Sequence, residues 1–65
     1  MNKKHEEIMQ RFKSLRIKIE QLKFGNKKKI ATTDYVEILL DYSKNKNEKQ
    51  VLESLNYLST FIDNW

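Results

Sequence analysis

The sequence predicts an all-α protein: a small bundle of three amphipathic helices, with a long first helix and two shorter ones. Three observations lead to this fold class. Apolar residues recur at helical spacing in three stretches, the 65-residue chain has no proline, and Gly25 is its only glycine. All-β folds and glycine-rich phosphate loops need proline or glycine at their turns, so the composition argues against both.

The first helix is predicted over about residues 2–24. Its apolar positions follow a 4-3-4-3 count that places them on one seam, and helix-favouring Lys, Glu, Gln and Arg fill the rest. Gly25 stands where a helix often ends in the left-handed conformation. The seam consists of Met1, His5, Ile8, Phe12, Leu15, Ile19 and Leu22.

Residues 25–33 are predicted as a linker, with a short strand over 27–33 as the alternative, because a lysine triplet precedes β-branched residues there. Asp34 followed by Glu37 has the spacing of a capping box and predicts a second helix over about 34–44. Asn47 is a suitable N-cap for a third helix over about 47–63. The third helix repeats the 4-3-4-3 spacing at Val51, Leu55, Leu58, Ile62 and Trp65.

The charge is unevenly distributed along this single small domain. Residues 1–29 carry ten Lys or Arg against three Glu, a net of +7, whereas residues 30–65 have a net of −3. Both flanks of the first helix's seam are basic, so two copies of this helix would repel each other whether parallel or antiparallel. We therefore expect it to pack on the second helix, whose acidic stripe is formed by Asp34, Glu37 and Asp41.

Such a short chain buries only about 60% of the surface that its unfolded form exposes, and it has no cysteine for disulfides. We therefore expect it to self-associate, with the third helix as the contact, or to bind another protein. A second contact surface outside the seam is hypothesised at Ile17 and Phe24. The predicted protein-binding residues are Ile8, Phe12, Leu15, Ile17, Ile19, Phe24 and Trp65.

A nucleic-acid site is the alternative, because three adjacent lysines after a helix end suit phosphate contacts. An order of strand, helix and helix over residues 27–63 resembles the ribbon-helix-helix repressors, in which paired strands enter the major groove. That resemblance leaves the first helix unexplained and lacks the usual glycine turn between the helices, so it assigns no family. The candidate nucleic-acid residues are Lys27, Lys28, Lys29, Arg11, Arg16, Lys18 and Lys23.

The sequence favours a non-enzymatic regulator or adaptor, such as an inhibitor or antirepressor, over an enzyme. His5 is the only histidine, which is too few for a catalytic triad or a tetrahedral metal site, and we expect it to be a surface or seam residue. We expect no cofactor, metal or small-molecule substrate. No apolar run approaches the ~20 residues of a membrane span, so we expect a cytoplasmic protein.

Overall fold

The computed structural model describes residues 3–23 and 25–64, which form three α-helices packed side by side. Helix α1 covers Lys3–Glu20, α2 covers Gly25–Asn45 and α3 covers Glu48–Asn64. The all-α fold class is confirmed, and each helix contacts both others. The second helix, with 21 residues, is longer than the first, with 18, so the expected long first helix is wrong.

The core consists of the apolar seams of α1 and α3 with two residues of α2. Ile8, Leu55 and Leu58 are the largest side chains that are fully buried. The seams on α1 and α3 agree with the 4-3-4-3 counts, because those counts follow the helical repeat. The buried hydrophobic residues are Ile8, Phe12, Leu15, Ile19, Ala31, Tyr42, Val51, Leu55, Leu58 and Ile62.

The predicted linker over 25–33 is wrong, and so is its strand alternative, because α2 runs through these residues without a break. Ala31 is completely buried, and Lys27 lies one turn before it with only 7% of its surface exposed. The buried stripe of α2 thus begins at a lysine, where a sequence pattern expects solvent. The strand on which the ribbon-helix-helix resemblance depended does not exist.

Two of the predicted helix boundaries are also wrong. α1 ends at Glu20 rather than near residue 24, and Gly25 begins α2 without a positive φ. Asp34 is therefore inside α2 and caps nothing. The left-handed residue is Lys46 (φ 51°), which ends α2 by donating its backbone N–H to the Tyr42 carbonyl at 2.8 Å.

The N-cap of α3 is confirmed. The side-chain Oδ1 of Asn47 accepts the backbone N–H of Gln50 at 3.1 Å, which satisfies one of the unpaired donors of the first turn. None of the three described helices combines the length and apolar character that a membrane span needs.

Candidate protein-binding groove

The α1 seam is buried inside the chain. Ile8, Phe12, Leu15 and Ile19 are each at most 6% exposed, so four of the predicted protein-binding residues belong to the core instead. The Phe12 ring packs edge-on against Tyr35 of α2, with centroids 5.6 Å apart. These side chains are unavailable to a partner while the bundle is folded.

The remaining predicted protein-binding residues are Ile17, Phe24 and Trp65. Ile17 is 49% exposed on the outside of α1, so it stays available for the hypothesised second surface. Phe24 and Trp65 lie outside the described residues.

One basic flank of α1 faces α3 and is linked to it by polar contacts. Arg11 donates to the Asn56 side-chain oxygen at 2.9 Å, and Lys18 reaches Asp63 at 3.4 Å. Lys18 also lies 3.5 Å from the Ser59 hydroxyl. The cations thus find their partners on α3, which corrects the expectation that the acidic stripe of α2 receives them.

The other basic flank of α1 borders an open groove between α1 and α2, which we name the α1–α2 groove. It has two depressions, of about 260 Å³ and about 360 Å³. The first is lined by Arg16, Ile19, Glu20, Lys28, Thr32, Tyr35 and Val36. The second is lined by His5, Met9, Leu39, Tyr42, Ser43 and Lys46.

Apolar side chains remain exposed along this groove. Met9 and Leu39 in the second depression are each 37% exposed, and Val36 in the first is 44% exposed. Leu40, one turn after Val36 on α2, is 60% exposed. Leu40 itself lines neither depression, whereas Met9, Val36 and Leu39 do. Apolar side chains that stay exposed beside one groove are typical of a contact region.

Sequence reasoning missed this surface, because the pattern shows only one broad apolar face on the second helix and not which of its residues stay exposed. That face consists of Tyr35, Val36, Leu39, Leu40 and Tyr42. A signal was present. Together with Ile38, these residues cover about 200° of the helix circumference, which is wider than the single stripe that an amphipathic helix buries. The unburied remainder borders the groove.

The charges on the groove's edges are mostly basic. Arg16 pairs with Glu20 one turn along its own helix, at 3.3 Å, and both side chains are more than 60% exposed. Lys28 lies at the first depression and Lys46 at the second, and the described part of the chain supplies no ion pair to either. The groove therefore combines an apolar floor with a cationic rim.

The lysine triplet does not act as one patch. Lys27 is buried, and its ammonium group donates to the Ile62 carbonyl in the last turn of α3. A cation at a helix C-terminus satisfies a carbonyl that lacks an intrahelical partner. Lys27 is thus removed from the candidate nucleic-acid set, whereas Lys23, Lys28 and Lys29 stay exposed.

A third depression lies between α2 and α3 and has the opposite charge. The carboxylates of Asp34, Glu37 and Glu53 line it, together with Tyr57, which is 73% exposed. Two members of the predicted acidic stripe therefore face α3 rather than α1. The third, Asp41, accepts a hydrogen bond from Asn45 within α2.

His5 connects α1 to α2 at one end of the groove. Its Nδ1 lies 2.8 Å from the Tyr42 hydroxyl, and the two rings stack with centroids 5.9 Å apart. The seam role expected for His5 agrees with this contact. Among residues 3–23 and 25–64, no group of three His, Asp or Glu side chains is arranged to hold a metal ion.

Comparison with known proteins finds no family model that matches the chain, and no curated protein or solved structure that matches it.

Proposed function

We propose that this chain is a non-enzymatic protein-binding module, a small regulator or adaptor that acts by covering part of a partner's surface with its α1–α2 groove. One observation carries the proposal: Met9, Val36 and Leu39 line one groove and are still exposed after the core is complete. Burying apolar area gives about 25 cal/mol per Å², so covering these side chains would contribute favourably to binding. A cytoplasmic location remains part of the proposal.

A photo-crosslinking residue at position 36 or 40, in the native host, tests the proposal. We expect a discrete cross-linked adduct from either position, and none from position 60 on the outer side of α3. Introducing Leu39→Glu into the same chain places a charge in the groove and is expected to remove the adduct. Thr60→Glu is the matched control and should leave it unchanged. Equal labelling from all positions would contradict a specific groove.

A nucleic-acid-binding regulator is the second candidate, since Lys23, Lys28 and Lys29 are all exposed. A complex of this kind loses affinity steeply as salt rises, because each phosphate contact releases a counterion. An electrophoretic shift with random duplex at low and moderate salt, repeated with Lys28→Ala and Lys29→Ala, separates it from groove binding. A shift that the two substitutions abolish would favour the nucleic-acid function.

A further inference from the structure

The shape and charge of the α1–α2 groove indicate which partner it accepts. We infer that its occupant is an amphipathic helix of another protein, with an apolar stripe flanked by carboxylates. This inference rests on the proposed function and adds the chemical class of the partner. It depends on two independent features, the alignment of the two depressions and the charges along the rim.

The two depressions follow one seam of the bundle. Val36 lines the first and Ser43 lines the second, seven residues later on α2. Seven residues of α-helix span about 10.5 Å. A helix lying along the groove presents its own residues i and i+7 at the same interval, so one apolar stripe reaches both depressions.

The charges on the rim favour an acidic occupant over a basic one. Lys28 and Lys46 stand near opposite ends of the groove, because Lys28 lies in the first turn of α2 and Lys46 directly follows the end of that helix. Neither has an ion-pair partner among the described residues. Arg16 has only the exposed Glu20 pair, and an i,i+4 pair of this kind contributes about 0.3–0.5 kcal/mol. Carboxylates on an incoming helix therefore gain three cationic contacts at little cost.

The same charges argue against a symmetric pair of these grooves. In a two-fold arrangement each cationic rim would meet its own copy, and like charges brought together oppose binding. The acidic depression between α2 and α3 of a second copy is the alternative source of carboxylates. The occupant we favour is a separate helix, because the groove's two aligned depressions match one helix face.

Three designed helical peptides of about 21 residues test the inference. They share one leucine stripe, and their flanking positions carry Glu, Gln or Lys. With the full chain at low salt, we expect the Glu peptide to bind at least tenfold more tightly than the Lys peptide, with Gln between them. The difference should shrink as salt rises, because these rim charges are exposed to solvent. Fluorescence anisotropy measures all three.

Charge reversal provides the second arm. The double variant Lys28→Glu and Lys46→Glu should invert the preference, so that the Lys peptide binds more tightly. The matched control, Lys44→Glu with Lys49→Glu, changes the net charge equally at exposed positions outside the groove and should keep the Glu preference. Circular dichroism confirms that each variant is folded before its binding is measured.

The outcomes separate this inference from the proposed function. Equal binding of the Glu and Lys peptides would overturn the inference but leave groove binding intact. Peptide binding that neither double variant changes would have the same two consequences. Binding of none of the peptides would also overturn it, while the cross-linking experiment judges the groove separately. If sedimentation shows an oligomer that Lys28→Glu with Lys46→Glu dissociates, the occupant is a second copy and the inference is wrong.

Discussion

The two sides of α1 differ in how the bundle uses them. On the α3 side, exposed polar groups join the helices, and the depression there is small, about 150 Å³. On the α2 side, aromatic packing of Phe12 and the His5–Tyr42 contact hold the helices, and a larger groove stays open. Both flanks of α1 are basic in sequence, so their different roles arise from what stands opposite them.

The number of polar links between two helices does not measure the strength of their contact. Arg11 and Lys18 make several links to α3, but exposed pairs contribute only about 0–1 kcal/mol each. Phe12 makes ring contacts with Tyr35 and Tyr42, and its burial contributes several times more. On both sides of α1, buried apolar residues therefore contribute more to the helix contact than the exposed polar links do.

The largest effect is expected from Phe12→Ala, which removes the aromatic contact on the α2 side. We expect a loss of about 3–5 kcal/mol in the free energy of unfolding, from lost transfer energy and the cavity left behind. A domain of this size has a low free energy of unfolding, so circular dichroism should show that the variant is largely unfolded. Ile17→Ala, on the exposed side of α1, is the control and should change stability by about 0.5 kcal/mol or less. Equal losses would contradict the described packing.

An intermediate effect is expected from Lys27→Met, which compares the buried lysine with its exposed neighbours. The substitution keeps the apolar stem but removes the ammonium group, leaving the Ile62 carbonyl without that donor. We expect a loss of about 1–3 kcal/mol in urea unfolding. Lys28→Met should stay within about 0.5 kcal/mol of the parent chain, because Lys28 is exposed. If the two variants lose the same amount, Lys27 does not cap α3.

The smallest effect is expected at the Lys18–Asp63 pair on the α3 side. A double-mutant cycle with Lys18→Ala and Asp63→Ala should give a coupling of about 0.2–1 kcal/mol, since both side chains are about half exposed. The coupling should fall towards zero near 1 M salt, where screening is strong. A coupling that survives high salt would place this pair in a drier environment than the structure describes.

The sequence predicted α1 and α3 well, because their buried positions are apolar and regularly spaced. Val51, Leu55, Leu58 and Ile62 form a repeat that needs no tertiary information, and the Asn47 cap is a local interaction. The prediction failed for residues 25–33, where Gly25 and the β-branched residues argue weakly against a helix and the lysine triplet was interpreted as a linker. The β-branched residues cost tenths of a kcal/mol each and an interior glycine about 1 kcal/mol, and packing of Ala31 into the core outweighs these penalties.

The candidate site was harder to predict than the fold. The extent of the buried stripe of α2 determines which of its apolar residues stay exposed to solvent, and that stripe includes Lys27. A pattern that treats every lysine as exposed therefore misjudges the start of the helix and the face it presents. A lysine can be buried because its apolar stem packs in the interior while its ammonium group donates to a carbonyl.

The helical class, the two regular seams and the basic character of α1 could be predicted from sequence, because each follows from residue type and spacing along one helix. Packing between helices makes α2 continuous, brings the Lys27 ammonium group to the Ile62 carbonyl of α3 and leaves one flank of α1 open. Those outcomes depend on contacts between residues distant in sequence. Only the assembled bundle fixes which of the available partners each side chain meets.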